Sequence, residues 1–219
     1  MKLATIKIKL LTVAIVLSCF LLSSQVSAQE KQKVAPKNLS ANSEEIQKIE
    51  KYLNEITTLI APFEQEDSAG GKATGTFYLA RPGRLRWDYQ PPTPILIVAK
   101  GSLVAYYDKE LNEVSHISLD DTLAGFLTRQ KISFGDDGVK ILDFEKKSGE
   151  TSITISQEKK EEQGNLTMFF NSTTMDLVRM EVIDSIGKTT IVRFHTPVYG
   201  KPLDKELFAL PRVKKERKD

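Results

Sequence analysis

The stretch Gly75-Thr-Phe-Tyr-Leu-Ala-Arg-Pro-Gly-Arg-Leu-Arg-Trp-Asp-Tyr89 is the most informative part of this chain. Two segments with alternating side chains lie on either side of Pro82-Gly83, which is a turn signal between antiparallel strands. Because successive side chains of a strand point to opposite faces, every second residue belongs to the same surface. The stretch therefore predicts a hairpin with one bulky apolar face, which consists of Phe77, Leu79, Leu85, Trp87 and Tyr89 and ends at Arg81.

This apolar face has two interpretations. It fits the packed core of a β-sandwich, with Arg81 at the rim of that core. It also fits a surface that holds a lipid, with the same arginine at its mouth. The alternation of residues alone favours the packed core, and the lipid-binding surface stays open as the alternative.

Segments of similar length and pattern continue on both sides of the hairpin. They are bounded by turn residues such as Gly70-Gly71, Lys100-Gly101 and Ile186-Gly187. This regular spacing predicts one continuous antiparallel sheet, curled into a barrel or half-barrel. The candidate strands are Ala73–Ala80, Leu85–Tyr89, Ile95–Ala99, Leu103–Tyr107, Val114–Leu119, Lys140–Phe144, Thr151–Ser156, Asn165–Phe170, Leu177–Ile183 and Thr189–Phe194.

Two helical segments accompany the sheet. Asn42 is a candidate N-cap with Glu45 three residues later, and Pro62 is expected to end a helix of about 15–18 residues. Its apolar stripe follows spacings of three and four residues through Ile46, Ile49, Leu53, Ile56 and Ile60. A second helical segment interrupts the strands at 121–129 and contains Leu123, Phe126 and Leu127.

The N-terminus has the pattern of an export signal. Three lysines precede a 13-residue apolar run at 10–22, which is too short to span a bilayer, and small residues follow up to Ala28. We expect residues 1–28 to be cleaved, 29–41 to form a flexible lead-in, 42–211 to form one domain and 212–219 to be a polar tail. An alternative is acylation of Cys19 in a lipoprotein-type cleavage site, which would anchor the protein.

Composition excludes several classes of function. Among 219 residues, 31 Lys and Arg nearly balance 29 Asp and Glu, so nucleic acid is not an expected partner. One cysteine and two histidines leave little from which to build a metal site or a disulfide framework. His116 and His195 lie in strand-like segments, and no nucleophile motif accompanies them. We therefore expect a protein without a catalytic site, a metal or a cofactor.

The hairpin and the segment after it resemble the periplasmic outer-membrane lipoprotein carrier family, LolA. The resemblance rests on residues 75–89, on Pro92 and on the segment Ile95-Leu-Ile-Val-Ala-Lys-Gly-Ser-Leu-Val-Ala-Tyr-Tyr-Asp108. Phe63-Glu-Gln65 and Leu207-Phe-Ala-Leu-Pro211 also fit the family. The similarity covers most of residues 43–211 and is strongest over 73–128.

The resemblance implies an incomplete antiparallel β-barrel that is covered by a helical lid. The family's arginine that clasps the lid corresponds to Arg81, which precedes Pro82 here as it does in the family. Leu85 departs slightly from the pattern, since this inward position often carries a larger aromatic residue. Acyl chains would contact Phe77, Leu79, Leu85, Trp87, Tyr89, Leu96 and Val98, and the apolar side of the lid would comprise Ile49, Leu53, Ile56, Leu123, Phe126 and Leu127.

The same resemblance implies the partners. A monomeric periplasmic carrier would receive lipoproteins from an inner-membrane ABC transporter and pass them to an outer-membrane receptor of similar fold. Two other functions stay open: an anchored receptor of the same fold, which would require an acylated Cys19, and a periplasmic binding or sensor module for another amphiphile.

Overall fold

The computed structural model describes residues 43–122, 125–135, 138–157 and 164–213. The expected signal peptide, the lead-in and most of the polar tail lie outside these residues. None of the helices within them has the length and apolar character needed to cross a membrane.

The first helix, α1, runs from Glu44 to Glu55 and is shorter than the sequence pattern predicts. Ser43 caps it, since its side chain accepts a hydrogen bond from the backbone N–H of Ile46. Asn42, the predicted cap, lies outside the described residues. The prediction that Pro62 ends the helix was wrong, because the chain is already extended from Thr58. The β-branched residues of Ile56-Thr-Thr-Leu-Ile60 favour a strand, which explains why the helix stops early.

Twelve strands form one antiparallel sheet in the described part of the chain. Two of them, β1 and β12, were missed by the sequence analysis, while the other ten overlap the predicted segments. The strands are β1 Thr58–Asp67, β2 Lys72–Ala80, β3 Arg84–Tyr89, β4 Ile95–Lys100, β5 Leu103–Asp108, β6 Glu113–Ser118, β7 Val139–Lys147, β8 Glu150–Gln157, β9 Asn165–Asn171, β10 Leu177–Ile183, β11 Thr189–Phe194 and β12 Val198–Tyr199.

The sheet does not close on itself. Its strand order is β6-β5-β4-β3-β2-β1-β11-β10-β9-β8-β7, and β12 pairs with the beginning of β1. The two edge strands, β6 and β7, are consecutive in the chain, and the connection between them contains a 3-10 turn at Leu119–Asp121 and a short helix, α2, at Gly125–Thr128. The expected open antiparallel barrel with helical segments is confirmed.

One face of the sheet, which we call the inner face, shares the main hydrophobic core with both helices. Phe77 and Leu79 of β2 and Leu85 and Trp87 of β3 belong to this core, as the hairpin pattern predicts. Inward residues of the later strands, such as Phe170, complete it. Their alternation with exposed or half-buried residues along each strand is the physical signature of a sheet with one buried face.

Leu96 and Val98 of β4, which were predicted to contact acyl chains together with Leu85 and Trp87, lie on the opposite, outer face. In the β3–β4 register Trp87 is opposite Ile97, whereas Leu96 and Val98 are opposite Asp88 and Arg86. Leu96 and Val98 are buried in a second, smaller cluster around Phe208, under the C-terminal segment. β4 has apolar side chains on both faces, and a continuous apolar run does not reveal which face is inward.

Candidate functional site

Both helices pack on the inner face and together form a lid over part of it. Ile46, Ile49 and Leu53 of α1 are buried against the sheet, and Ile56 follows them into the core. Phe126 and Leu127 of α2 are buried as well. The described residues that the sequence pattern assigned to the apolar side of the two helices are buried, and Leu123 lies outside the described residues.

Arg81 joins the two lid helices. Its side-chain Nε donates to the backbone oxygen of Leu127 in α2 at 2.7 Å, and its Nη1 donates to the backbone oxygen of Leu53 in α1 at 2.5 Å. Leu53 lies in the last turn of α1, where carbonyl groups lack partners within the helix. The Arg81 side chain, directly after β2, thus donates hydrogen bonds to a carbonyl group of each helix. The two acceptor residues, Leu53 and Leu127, are 74 residues apart in the sequence.

The groups around Arg81 compensate little for the charge of its buried guanidinium. Burial lowers the pKa of the Arg81 guanidinium to about 10, so the group remains charged at neutral pH. Its Nη2 is buried and has no hydrogen-bond partner in the part of the chain that the structure describes. A buried cation that contacts only neutral carbonyl groups contributes little net stability, because desolvation opposes its hydrogen bonds. The contact between Arg81 and the lid is therefore a weak one.

A second set of polar contacts holds α1 to the segment after α2. The Asn54 side chain donates to the backbone oxygen of Ile132 at 2.8 Å and accepts from the backbone N–H of the same residue at 2.7 Å. Glu50 Oε2 accepts from the backbone N–H of Phe134 at 2.8 Å. The sequence analysis missed both residues, because a polar residue on a helix carries no sign of a distant backbone partner.

An apolar cavity of about 230 Å³ lies over the strands β3 to β6, beside the 3-10 turn at Leu119–Asp121. Tyr106 and Ile117 in its wall are 43% and 51% exposed, although both face the inner side of the sheet. Tyr106 and Thr122 contribute hydroxyl groups to a wall that is otherwise apolar. The cavity, which we call the apolar cavity, is lined by Leu85, Trp87, Ile97, Val104, Tyr106, Ile117, Leu119 and Thr122.

The predicted acyl-binding residues fall into three groups. Leu85 and Trp87 line the apolar cavity, and Phe77 and Leu79 lie buried in the core beside it. Tyr89 lines a neighbouring groove on the same face. Leu96 and Val98 are on the other side of the sheet, as described above. The alternation of residues could have found the missed wall residues Ile97, Val104, Tyr106 and Ile117, had the inward register of β4 been known.

The size of the apolar cavity limits what it can hold in this conformation. Pockets that bury a ligand of drug size have volumes of about 300–1,000 Å³, so this cavity is small for a long hydrocarbon chain. Leu53, Phe126 and Leu127 of the lid fill further apolar space in the core. Movement of the lid away from the sheet would expose this continuous apolar surface, and it would require the hydrogen bonds of Arg81 to break.

This chain is similar to several known proteins. An uncharacterized protein of Rickettsia prowazekii is 28% identical over 153 residues, 68% of this chain and 69% of that protein. The outer-membrane lipoprotein carrier protein of Methylococcus capsulatus is 30% identical over 169 residues, 74% of this chain and 80% of that protein. The crystal structure of a LolA superfamily protein from Nitrosomonas europaea superposes with a TM-score of 0.43 and 11% identity, over 74% of this chain and 96% of that one. Residues 54–211 match the family described as outer membrane lipoprotein carrier protein LolA, and the chain therefore belongs to the LolA family.

Proposed function

We propose that this protein is a periplasmic carrier that binds the acyl chains of lipoproteins released from the inner membrane and delivers them to the outer membrane. The observation that carries the proposal is the apolar cavity on the inner face, next to a lid whose two helices are joined by Arg81. Membership of the LolA family and the carrier-protein name of the Methylococcus capsulatus relative support it.

The physical chemistry of the cargo explains why such a cavity is needed. Each acyl CH₂ transferred from lipid to water costs about 0.8 kcal/mol, so a lipoprotein with several chains leaves a bilayer very slowly without help. A carrier must offer apolar surface to these chains and must hide that surface when it is empty, since a large exposed apolar patch promotes aggregation. A lid that packs its own apolar residues on the sheet meets both requirements.

The partners follow from the same proposal. An inner-membrane ABC transporter would supply the energy for loading, and an outer-membrane receptor would accept the cargo. The carrier would act as a monomer in the periplasm.

Substitution of the arginine tests the role of the lid. Arg81→Leu removes the hydrogen bonds to Leu53 and Leu127, so the empty, closed state loses stability relative to the open, loaded state. We expect the variant to take up lipoprotein and to release it to the receptor at least tenfold more slowly, which corresponds to about 1.4 kcal/mol. Arg84→Leu is the matched control, because Arg84 lies by the outer-face residue Phe208 and does not contact the lid. Normal handover by Arg81→Leu would contradict this role.

A release assay tests the carrier function itself. The full chain, purified from the periplasm of an expressing strain, is added to spheroplasts that contain a labelled lipoprotein. We expect the label to appear in the soluble fraction as a one-to-one complex with the protein. Failure to release the label, with the transporter shown to be active, would contradict the carrier function and would favour the receptor or the sensor.

A further inference from the structure

A second groove adjoins the apolar cavity on the inner face. Ile97 and Tyr106 line both spaces, so the two share part of their walls. The second space has a volume of about 370 Å³ and differs in character, because polar side chains form its far end. We call it the polar groove, and its polar residues are Gln65, Asp67, Tyr89, Thr93 and Tyr106.

The polar groove lies at the end of the sheet that is remote from the lid contact. Lys72 begins β2, and Arg81 follows the last residue of the same strand, Ala80. At about 3.3 Å per residue, this strand separates the two by nearly 30 Å. A ligand that enters the apolar cavity and extends away from Arg81 therefore reaches the polar groove.

Gln65 is held in this groove by a neighbouring tyrosine. The hydroxyl of Tyr89 donates to Gln65 Oε1 at 2.7 Å. Burial raises the pKa of Tyr89 to about 12, so the hydroxyl keeps its proton at neutral pH. The bond occupies the amide oxygen and leaves the Nε2 protons of Gln65, which have no partner within the described residues, as donors to a ligand.

A charged residue adds one fixed acceptor to the groove. Asp67 Oδ1 accepts from the backbone N–H groups of Ala69 and Gly71, which fixes the carboxylate in the turn between β1 and β2. Lys72 lies two residues before Thr74 in β2, so its side chain is on the outer face and supplies no donor to the groove. The groove thus combines the amide donor of Gln65 with a fixed carboxylate, which suits neutral carbonyl groups better than an anion.

We propose that the polar groove binds the ester and amide carbonyl groups at the head of an acylated peptide, while its hydrocarbon chains occupy the apolar cavity. This inference rests on the proposed carrier function and adds a second site for the same cargo. The order of the two spaces matches the order of groups in such a molecule: acyl chains, then glyceryl esters on a cysteine, then the first peptide bonds. Recognition of the head would let the carrier distinguish an acylated protein from other apolar molecules.

Two probes separate the head from the chains. One is a synthetic peptide whose N-terminal cysteine carries palmitoyl chains through glyceryl ester and amide bonds. The other is N-phenyl-1-naphthylamine, a neutral apolar dye without a carbonyl group. The informative variant is Gln65→Glu, which keeps the size of the side chain and its bond to Tyr89 but replaces the Nε2 donor with a carboxylate oxygen. Gln90→Glu is the matched control, because Gln90 contacts Thr74, whose side chain is on the outer face.

Binding constants for the full-length protein decide between the outcomes. We expect Gln65→Glu to weaken lipopeptide binding about tenfold, the effect of losing a donor and gaining repulsion, and to leave dye binding within about twofold. Gln90→Glu should change neither. Unchanged lipopeptide binding in Gln65→Glu, or an equal loss for both probes, would overturn the head-group site and leave the carrier function standing. A wild-type protein that binds neither probe would contradict the carrier function and this inference together.

Discussion

The inner face of the sheet has two halves that differ in how completely they are covered. In the strands β8 and β9, the inward residues Ile153, Met168 and Phe170 are each 0% exposed. In β5 and β6, at the other edge, Tyr106 and Ile117 point to the same side of the sheet and are 43% and 51% exposed. Both halves carry apolar inward residues, so burial here is decided by the cover and not by the strand sequence.

The difference comes from where α1 is attached. Tyr52 of α1 packs edge-on against Phe170 of β9, with ring centroids 6.0 Å apart, and its hydroxyl donates to the Tyr199 hydroxyl and accepts from the Leu177 N–H. Glu45 of the same helix pairs with Lys146 of β7. These contacts tie α1 to the second half of the sheet, while the cavity over strands β3 to β6 is bordered by Leu119 and Thr122. The covered half is fully buried, and in the proposed function the open half is the surface available to a ligand.

Deleting inward side chains in the covered half should have the largest effect on stability. Ile153→Ala removes a completely buried side chain from the core, so we expect the free energy of unfolding to fall by about 2–5 kcal/mol. Urea unfolding monitored by Trp87 fluorescence measures the change. A loss below about 1 kcal/mol would show that the covered half is loosely packed and would contradict the difference between the two halves.

We expect the second largest effect on stability from the contact between α1 and the segment after α2. Asn54→Ala leaves both backbone groups of Ile132, which is 0% exposed, without their side-chain partner. An unsatisfied buried group costs about 1–3 kcal/mol, so we expect a loss of about 2 kcal/mol in the free energy of unfolding. The same denaturation measurement applies.

Two further substitutions make this second prediction specific. Asn54→Asp keeps the acceptor for the Ile132 N–H and should recover part of the loss. Glu55→Ala, at the exposed end of the same helix, controls for changes in helix propensity and should have little effect. Equal stability of Asn54→Ala and Glu55→Ala would show that the Asn54 contacts do not hold the lid.

How much of this organisation the sequence predicts depends on the range of the interaction. The alternation in β2 and β3 identified Phe77, Leu79, Leu85 and Trp87 as one inward face, because side-chain direction within a strand is a local property. The resemblance to the LolA family singled out Arg81, and the structure places its hydrogen bonds on both lid helices.

Other features depend on contacts that no local pattern contains. Leu96 and Val98 lie on the outer face because the C-terminal segment around Phe208 covers them, more than 100 residues away in the chain. The role of Asn54 likewise depends on Ile132, which is 78 residues distant. A periodic stripe can also mislead: Ile60 continues the helical spacing of α1 but belongs to β1.

The pH dependence of stability tests whether Tyr89, in the open half, is buried. Its pKa in the folded protein is about 12, above the ordinary value of 10, so between these pH values the folded state binds more protons than the unfolded state. Stability from this residue is complete below pH 10 and is lost as the pH rises towards 12. We expect the difference in unfolding free energy between wild type and Tyr89→Phe to shrink by about 1 kcal/mol from pH 8 to pH 11. A constant difference would show that Tyr89 is solvated.

The smallest effect on stability is expected for Ile117→Ala, which repeats the first substitution in the open half. Because Ile117 is 51% exposed in the empty protein, its truncation should change the free energy of unfolding by no more than about 0.5 kcal/mol. The side chain lines the apolar cavity, so a bound acyl chain would cover it, and its loss should weaken lipopeptide binding by about 1 kcal/mol, or roughly fivefold. Calorimetric titration of the lipopeptide measures this, with Val114→Ala, on the other face of β6, as the control. Ile153→Ala and Ile117→Ala together assign one isoleucine to folding and the other to binding; a large stability loss in Ile117→Ala, or unchanged binding, would show that the open half is core as well.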